Sequence, residues 1–292
     1  MRVRLRDYAE LVRIPNVFTA ATDVVAGFVY VGGGVDRAWG ALLLILTSCS
    51  LYCSGMALND VCDVAEDTRE RPKRPIPSGR IPLGCAFVLS AVLLSSGLFL
   101  SFFISRLATL IAVVLIALIV LYNVFLKATA LGPMTMGACR AANLLLGMSL
   151  GGISASAPIL VPVILMGTYI TSVSYFARQE AVTSDARRLY AGMAGVCASA
   201  CGLAALPWLR ESPYYGYLPL LAVWVVVLAT CGQRAARSRA PRDVQGAVKL
   251  FVLSLIVFDG CVAWSAAGIM AGLVIGATIV PTILLARWFR VT

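Results

Sequence analysis

Long apolar runs recur along the whole chain, and each is close to the ~20 residues that an α-helix needs to cross a bilayer. Of the 292 residues, 60% are hydrophobic and 13% are charged. The mean hydropathy of +0.89 is far above that of a soluble domain, whose surface needs more charged side chains. The sequence therefore predicts an all-α integral membrane protein without a separate soluble domain.

The apolar runs define the predicted spans, which lie at 16–34, 40–58, 83–104, 107–126, 133–153, 158–176, 189–208, 215–232, 247–267 and 269–287. Only Gly268 separates the last two, so we expect nine or ten spans in one domain, 1–292. With a cytoplasmic N-terminus, cytoplasmic segments hold 18 Lys and Arg against three outside, which favours this orientation and ten spans. No cleavable signal peptide is expected before Pro15. These features are typical of a bacterial inner (cell) membrane protein with cytoplasmic loops.

The net charge of +10 does not indicate a nucleic-acid partner, because the basic residues lie between the spans. That pattern is typical of membrane topology and attraction to anionic membrane lipid. The nine cysteines are scattered and histidine is absent from the sequence. Chemistry that needs a histidine base or a zinc site is therefore excluded, and the cysteines are interpreted as packing residues.

The stretch 59–80, NDVCDVAEDTRERPKRPIPSGR, holds ten of the 38 charged residues. If the second span continues as a helix beyond residue 58, Asn59, Asp60, Asp63 and Asp67 share one face. Three carboxylates on one face repel each other unless a cation neutralises them, and oxygen ligands suit Mg²⁺. The alternative is a solvated loop in which acids and bases pair. We favour the metal interpretation.

The basic half of this stretch, with Arg71, Lys73, Arg74 and Arg80, follows the acids directly. Three prolines hold it extended and Ser78-Gly79 predicts a turn. Cations beside a Mg²⁺-binding face are suited to a diphosphate. The alternative for each of these residues taken singly is that it only sets the orientation of the protein in the membrane.

The segment NDVCDVAEDTRERPKRPIPSGRI resembles the first aspartate-rich motif of the UbiA superfamily of membrane prenyltransferases. RIPNVFTAATDVVAG is similar to the family's first helix, YNVFLKATALGPMTMG to its fourth-to-fifth connection, and YFARQEAVTSD lies where its second acidic motif belongs. GACRAANLLLG and the C-terminal region resemble the EboC-like branch. The resemblance covers most of the chain.

The resemblance implies a helical bundle around a central cavity, in which a prenyl group moves from a prenyl diphosphate to an aromatic or other lipophilic acceptor with Mg²⁺ as cofactor. It places the metal at Asn59, Asp60, Asp63 and Asp67. It also assigns contacts with the leaving phosphates to Arg71, Lys73 and Lys127.

The second acidic motif departs from the family pattern of two aspartates four residues apart. Glu180 and Asp185 are five apart, which places them ~140° from each other on a helix. Either Glu180 alone serves a second ion, or Arg178 partly replaces that ion as a fixed cation. A simple loop pair of Arg178 and Glu180 is the alternative.

Polar residues inside the spans face a cavity or a partner, since they are costly in lipid. Arg140 and Asn143, one turn apart, are expected to face the interior, where they contact substrate or Asp23 or Asp259 neutralises the arginine. The predicted substrate contacts of the cavity are Asn16, Tyr122, Arg140, Asn143, Tyr175 and Arg178. For the tyrosines, and for Tyr169 and Phe176, ordinary packing is the alternative.

Three functions remain open from the sequence. The first is Mg²⁺-dependent prenyl transfer, in which the site stabilises the departing diphosphate. The second is an intramolecular terpene cyclase with the same diphosphate site, and the third a non-catalytic lipid-handling or scaffold protein. A transporter is disfavoured, because no pair of interrupted helices repeats in the sequence.

Overall fold

The computed structural model describes residues 5–151, 156–178 and 184–288, and this described part is helical without a strand. The helices are α1 (Leu5–Leu11), α2 (Ile14–Tyr30), α3 (Ala38–Cys62), α4 (Val64–Glu70), α5 (Leu83–Phe102), α6 (Arg106–Leu121), α7 (Gly132–Met148), α8 (Ala157–Ala177), α9 (Ala186–Gly202), α10 (Leu218–Ser238), α11 (Pro241–Leu253), α12 (Leu255–Ala267), α13 (Ile269–Ala277) and α14 (Ile279–Trp288). A π-helical turn, Tyr122–Leu126, extends α6.

Every predicted span contains a helix, which confirms the all-α membrane fold. In the described residues, eight helical segments are long and apolar enough to cross a bilayer, and nine if α1 and α2, bent by 53°, count as one span. The preference for ten spans is not met. Helix α7 has 17 residues and carries Arg140 and Asn143, so it is short and polar for a span.

The helices form a bundle in which α2 and α7 occupy central positions. Helix α2 packs against α3, α7 and α12, and α7 packs in turn against α8. The largest core cluster contains Tyr169, Phe176 and Trp224. Tyr169 is fully buried, stacks on Trp224 at 5.9 Å between ring centroids, and donates to the Phe251 carbonyl at 3.0 Å. Tyr169 and Phe176 are therefore packing residues and do not line a cavity.

Helices α2 and α7 approach each other closely because glycine lies at their contact. A Cβ atom on Gly147 would lie 2.1 Å from the Val24 carbonyl oxygen, and one on Gly27 would lie 2.3 Å from the Leu144 carbonyl oxygen. Small residues allow such backbone contact between membrane helices. This contact brings Asp23 of α2 next to Arg140 of α7.

We expect Gly147→Ala to destabilise the protein by about 1–3 kcal/mol, since the added methyl group meets backbone that cannot move aside. Thermal unfolding in detergent measures the change. Gly84→Ala in α5 is the matched control, because a Cβ there meets no atom within 4 Å. Equal melting temperatures for the two variants would show that α2 and α7 tolerate separation.

Candidate active site

Helix α3 continues past Leu58 to Cys62, as predicted, and then breaks. Asp63 (φ −89°, ψ 4°) separates it from α4. Asp60 and Asp67 are buried and Asp63 is half-buried. No set of three acidic, histidine or cysteine side chains in the described residues is grouped closely enough to hold a metal ion.

Asp60 and Asp67 converge instead on a single cationic atom. The Nη1 of Arg74 lies 2.6 Å from Asp67 Oδ2 and 3.5 Å from Asp60 Oδ1. All three side chains are at most 6% exposed. Arg74, predicted as a phosphate contact, is therefore an internal partner of the acids, and the two carboxylates form a site that accepts positive charge between them.

Arg13 is a site residue that the sequence interpretation missed, because it was treated only as one of the 18 basic residues that indicate membrane orientation. It lies at the break between α1 and α2 with φ 51°, a left-handed conformation that is uncommon for arginine. Its Nη2 lies 3.1 Å from Asp60 Oδ1. The helix break thus directs a second cation to Asp60, and strained backbone of this kind is frequent at functional sites.

The π-helical turn after α6 supplies the opposite wall of the site. π-turns inside helices are frequent at functional positions. Here the turn places Asn123 at 3.0 Å from the Asn59 amide nitrogen and is followed by Lys127, whose ammonium group donates to Asp63. Lys127, predicted to contact the leaving phosphates, thus lies beside Asp63. Asn123 was missed because an asparagine in an apolar run has no distinctive spacing.

The remaining basic residues of 71–80 separate into two groups. Arg80 donates to Asp7 and Glu10 at 2.7 Å and ties α1 to the turn that includes Gly79 (φ 72°). The hydrogen bonds to Glu10 and then Asp7 raise the pKa of Arg80 above its ordinary value. Arg71 and Lys73 are exposed and make no ion pair within the described residues. These two cations remain available to an anion.

The carboxylate oxygens of the acid cluster, which consists of Asp60, Asp63 and Asp67, fit a hard divalent cation. Asp60 and Asp67 already enclose one positively charged atom, and the Asn59 amide lies beside Asp63 and Lys127. Mg²⁺ typically takes one or two carboxylates and completes its shell with water and substrate phosphate. A metal between Asp60 and Asp67 requires Arg74 to withdraw.

Arg140 and Asn143 form a separate network in the bundle interior. Asp23 accepts from Arg140 Nη1 at 2.8 Å and from Asn143 Nδ2 at 2.9 Å. Arg140 also donates to Thr19 at 2.9 Å. The prediction that Asp23 neutralises Arg140 is confirmed. Within the described residues, neither Arg140 nor Asn143 bonds to the acid cluster.

The other predicted site residues have different surroundings. Arg178 donates to the carbonyls of Ala128 and Thr129, in the turn after Lys127. Tyr175 is 38% exposed, with the Arg188 guanidinium 5.6 Å from its ring centre. The carbonyl of Asn16 accepts from Thr19 at 2.7 Å, and Tyr122 begins the π-turn.

The second acidic motif is only partly within the described residues. Glu180 lies outside them. Asp185 caps α9 by accepting from the Arg187 amide at 3.1 Å. A helix cap of this kind is a structural role, as expected if Asp185 does not face the metal.

Comparison with known proteins gives consistent matches over most of the chain. A model of the UbiA prenyltransferase family matches residues 21–256. The digeranylgeranylglyceryl phosphate synthase of Methanosarcina mazei is 30% identical over 258 residues, which cover 81% of this chain and 89% of the relative. The synthase of the same name from Saccharolobus solfataricus is 37% identical over 125 residues, 43% of this chain and 44% of the relative.

A solved structure matches over nearly its whole length. The UbiA homolog from Archaeoglobus fulgidus bound to GPP and Mg²⁺ superposes with a TM-score of 0.66 at 12% identity, covering 88% of this chain and 99% of that chain. At this identity the likeness shows a shared fold.

Proposed function

The chain belongs to the UbiA prenyltransferase family, and on that premise we propose that it transfers an isoprenyl group from a prenyl diphosphate to a hydroxyl of a lipid glycerophosphate, with Mg²⁺ as cofactor. The 30% identity to a digeranylgeranylglyceryl phosphate synthase over most of both chains supports the glycerophosphate acceptor. This acceptor replaces the aromatic one that the family resemblance first suggested.

The observation that carries the proposal is the mixed charge cluster at the ends of α3, α4 and α6. Asp60 and Asp67 converge on one cationic position, while Lys127, Arg71 and Lys73 lie in the adjoining turns. A diphosphate requires this combination, because carboxylates bind the metal and ammonium or guanidinium groups contact the phosphate oxygens directly.

In the proposed reaction, the bond between the allylic carbon and the diphosphate oxygen breaks and the electron pair leaves with the diphosphate. Lys127 and the exposed Arg71 and Lys73 stabilise the developing negative charge. Asp60 and Asp67 would hold Mg²⁺ once Arg74 has withdrawn, and the ion would supply further charge neutralisation at the leaving group. The acceptor hydroxyl then bonds to the allylic carbon through its oxygen and gives its proton to the released diphosphate.

We place this end of the bundle in the cytoplasm. The segments around residues 59–82, 127 and 177–188 belong to the set that holds 18 basic residues in the predicted topology. That distribution follows the positive-inside rule, and it gives the site access to a water-soluble diphosphate head group.

The test is to incubate the purified chain with Mg²⁺ and prenyl diphosphates of several lengths. Three acceptor conditions are compared, namely a geranylgeranyl glyceryl phosphate, an aromatic acid and no acceptor. Diphosphate release and organic products are followed together. We expect release and an ether product only with the glyceryl phosphate. Release without acceptor together with a cyclic product would indicate a cyclase, and turnover only with the aromatic acid would refute the acceptor assignment.

Replacing Arg71 and Lys73 together by glutamine is expected to weaken binding of a prenyl diphosphate analogue about tenfold without changing the Mg²⁺ requirement. Both side chains are exposed, so the fold is unaffected. Calorimetry at low salt measures the affinity, and Arg106→Gln at the opposite end of the bundle is the control. Unchanged affinity in the double variant would leave these residues as topology determinants only.

A further inference from the structure

One face of α10 is exposed along its whole length and changes from apolar to basic. Leu220, Val223 and Val227 are 47%, 63% and 42% exposed. Spacings of three and four residues continue this face to Thr230, and then to Arg234 and Arg237. The same stripe therefore meets lipid tails in the span and carries arginines where the helix leaves the membrane.

The basic end of this stripe borders an open groove of about 510 Å³. Its lining residues are Thr230, Gln233, Arg234, Arg237 and Ser238. All five are exposed. The Thr230 and Ser238 hydroxyls donate to the Val227 and Ala235 carbonyls, so the Gln233 amide is the additional side-chain donor beside the two guanidinium groups. The groove is thus equipped for an anion with several oxygen acceptors.

The positive charge of the groove is not balanced by nearby acids. Within the described residues, neither Arg234 nor Arg237 has a carboxylate oxygen within 4 Å, and the exposed Arg239 and Arg242 follow in the next turn. Asp243 is the acidic residue of this turn, at the start of α11. Asp185, at the cap of α9 and next to Ser184, is a second acid near this turn, so four arginines against two aspartates leave a local excess of positive charge.

The groove lies at the same end of the bundle as the acid cluster. The amide of Ser184, just before α9, donates to the Arg239 carbonyl at 3.4 Å. At the end of α8, Arg178 donates to the turn after Lys127, which contacts Asp63. The groove is on a different helix from the residues proposed for catalysis.

We propose that the α10 groove binds an anionic phospholipid of the surrounding bilayer, with the phosphate at Arg234 and Arg237 and an acyl chain along Leu220, Val223 and Val227. Arginine binds phosphate oxygens through two parallel hydrogen bonds, and basic pockets beside membrane helices favour anionic head groups. Charge complementarity selects the anionic lipid over a zwitterionic one.

This site is separate from the residues proposed for prenyl transfer, and membrane topology alone does not explain it. The positive-inside rule explains why arginines end α10, but it requires no particular helix face. The arginines lie on the lipid-facing stripe, within ~100° of the helix circumference. A ligand with a charged head and an apolar tail requires this arrangement.

The test measures lipid retained by the purified full chain in native mass spectrometry, after titration with phosphatidylglycerol or phosphatidylcholine. We expect the wild type to retain phosphatidylglycerol preferentially. Replacing Arg234 and Arg237 by glutamine should lower that affinity about fivefold per arginine. Replacing Arg37 and Arg106, exposed at the opposite end, removes the same charge and should change nothing. If the double variant does not accumulate, the two single variants are measured instead.

Equal phosphatidylglycerol retention in the wild type and the Arg234/Arg237 variant would overturn the proposal and leave the arginines to topology. Free glycerol phosphate provides the second arm. It should fail to displace the lipid at matched concentration, because it lacks the acyl chain that contacts the stripe. Displacement would mean that the groove is a simple phosphate site, and the lipid assignment would then be wrong.

Discussion

Asp60→Asn should lower turnover of the proposed prenyl transfer about 100-fold or more. Asp60 lies between Arg13 at 3.1 Å and Arg74 at 3.5 Å. Together with Asp67 it encloses the Arg74 guanidinium group. Loss of a carboxylate bound to a catalytic ion removes several kcal/mol of transition-state stabilisation, and each ~1.4 kcal/mol is tenfold in rate. Asparagine keeps the shape, and Arg74 retains Asp67 as a partner, so the bundle should remain folded.

Glu66→Gln is the matched control, since Glu66 lies in the same stretch but is exposed and makes no ion pair within the described residues. Its turnover should stay near that of the wild type. Calorimetry with a non-reactive diphosphate analogue and Mg²⁺ gives a second measurement that does not require turnover. If Asp60→Asn and Glu66→Gln bind the analogue equally in the presence of Mg²⁺, the assignment of the metal site is wrong.

Arg140→Met is expected to destabilise the protein by about 3–5 kcal/mol, because it leaves a buried carboxylate without its cation. The Asp23 side chain is fully buried and lies 2.8 Å from Arg140 Nη1. Asp259 is also fully buried, and neither of its carboxylate oxygens has a hydrogen-bond partner within the described residues. Two acids would then share the interior without the arginine that offsets them. Thermal or denaturant unfolding in detergent measures the loss.

The variant Asp23→Leu/Arg140→Met separates a structural role from a substrate contact. Removing both charges should recover much of the stability, since a buried ion pair can often be replaced by apolar groups at little cost. If Arg140 instead contacts substrate, the double variant would be stable but would have a raised KM. A single Arg140→Met variant as stable as the wild type would contradict the buried-pair interpretation.

The main features of the fold and site were readable from local sequence. Apolar runs of bilayer length predicted the helices, because lipid forces each spanning segment to satisfy its own backbone hydrogen bonds. The helical continuation through Asn59 and the turn at Ser78-Gly79 were also predicted. The family resemblance assigned Lys127 to the same diphosphate site as the acids, and the structure places it beside Asp63, 64 positions away in the sequence.

Other features depended on contacts that local sequence does not encode. Arg13 and Asn123 reach the acid cluster through a helix break and a π-turn, and neither geometry has a spacing signature. Arg74 was grouped with Arg71 and Lys73 because all three follow the acids in one basic run. The structure separates them by burial, with Arg74 between Asp60 and Asp67.

The sequence by itself determined that this chain lies in a membrane as a helical bundle and concentrates acids and bases at one helix end. Those properties follow from composition and spacing, which act within a single helix. Only the tertiary structure decided which charge meets which. Asp23 was one of two candidate partners for Arg140, and the close approach of α2 and α7 at Gly147 selected it. Partner choice depends on distances between helices, and electrostatic pairing in a low-dielectric interior changes steeply with distance.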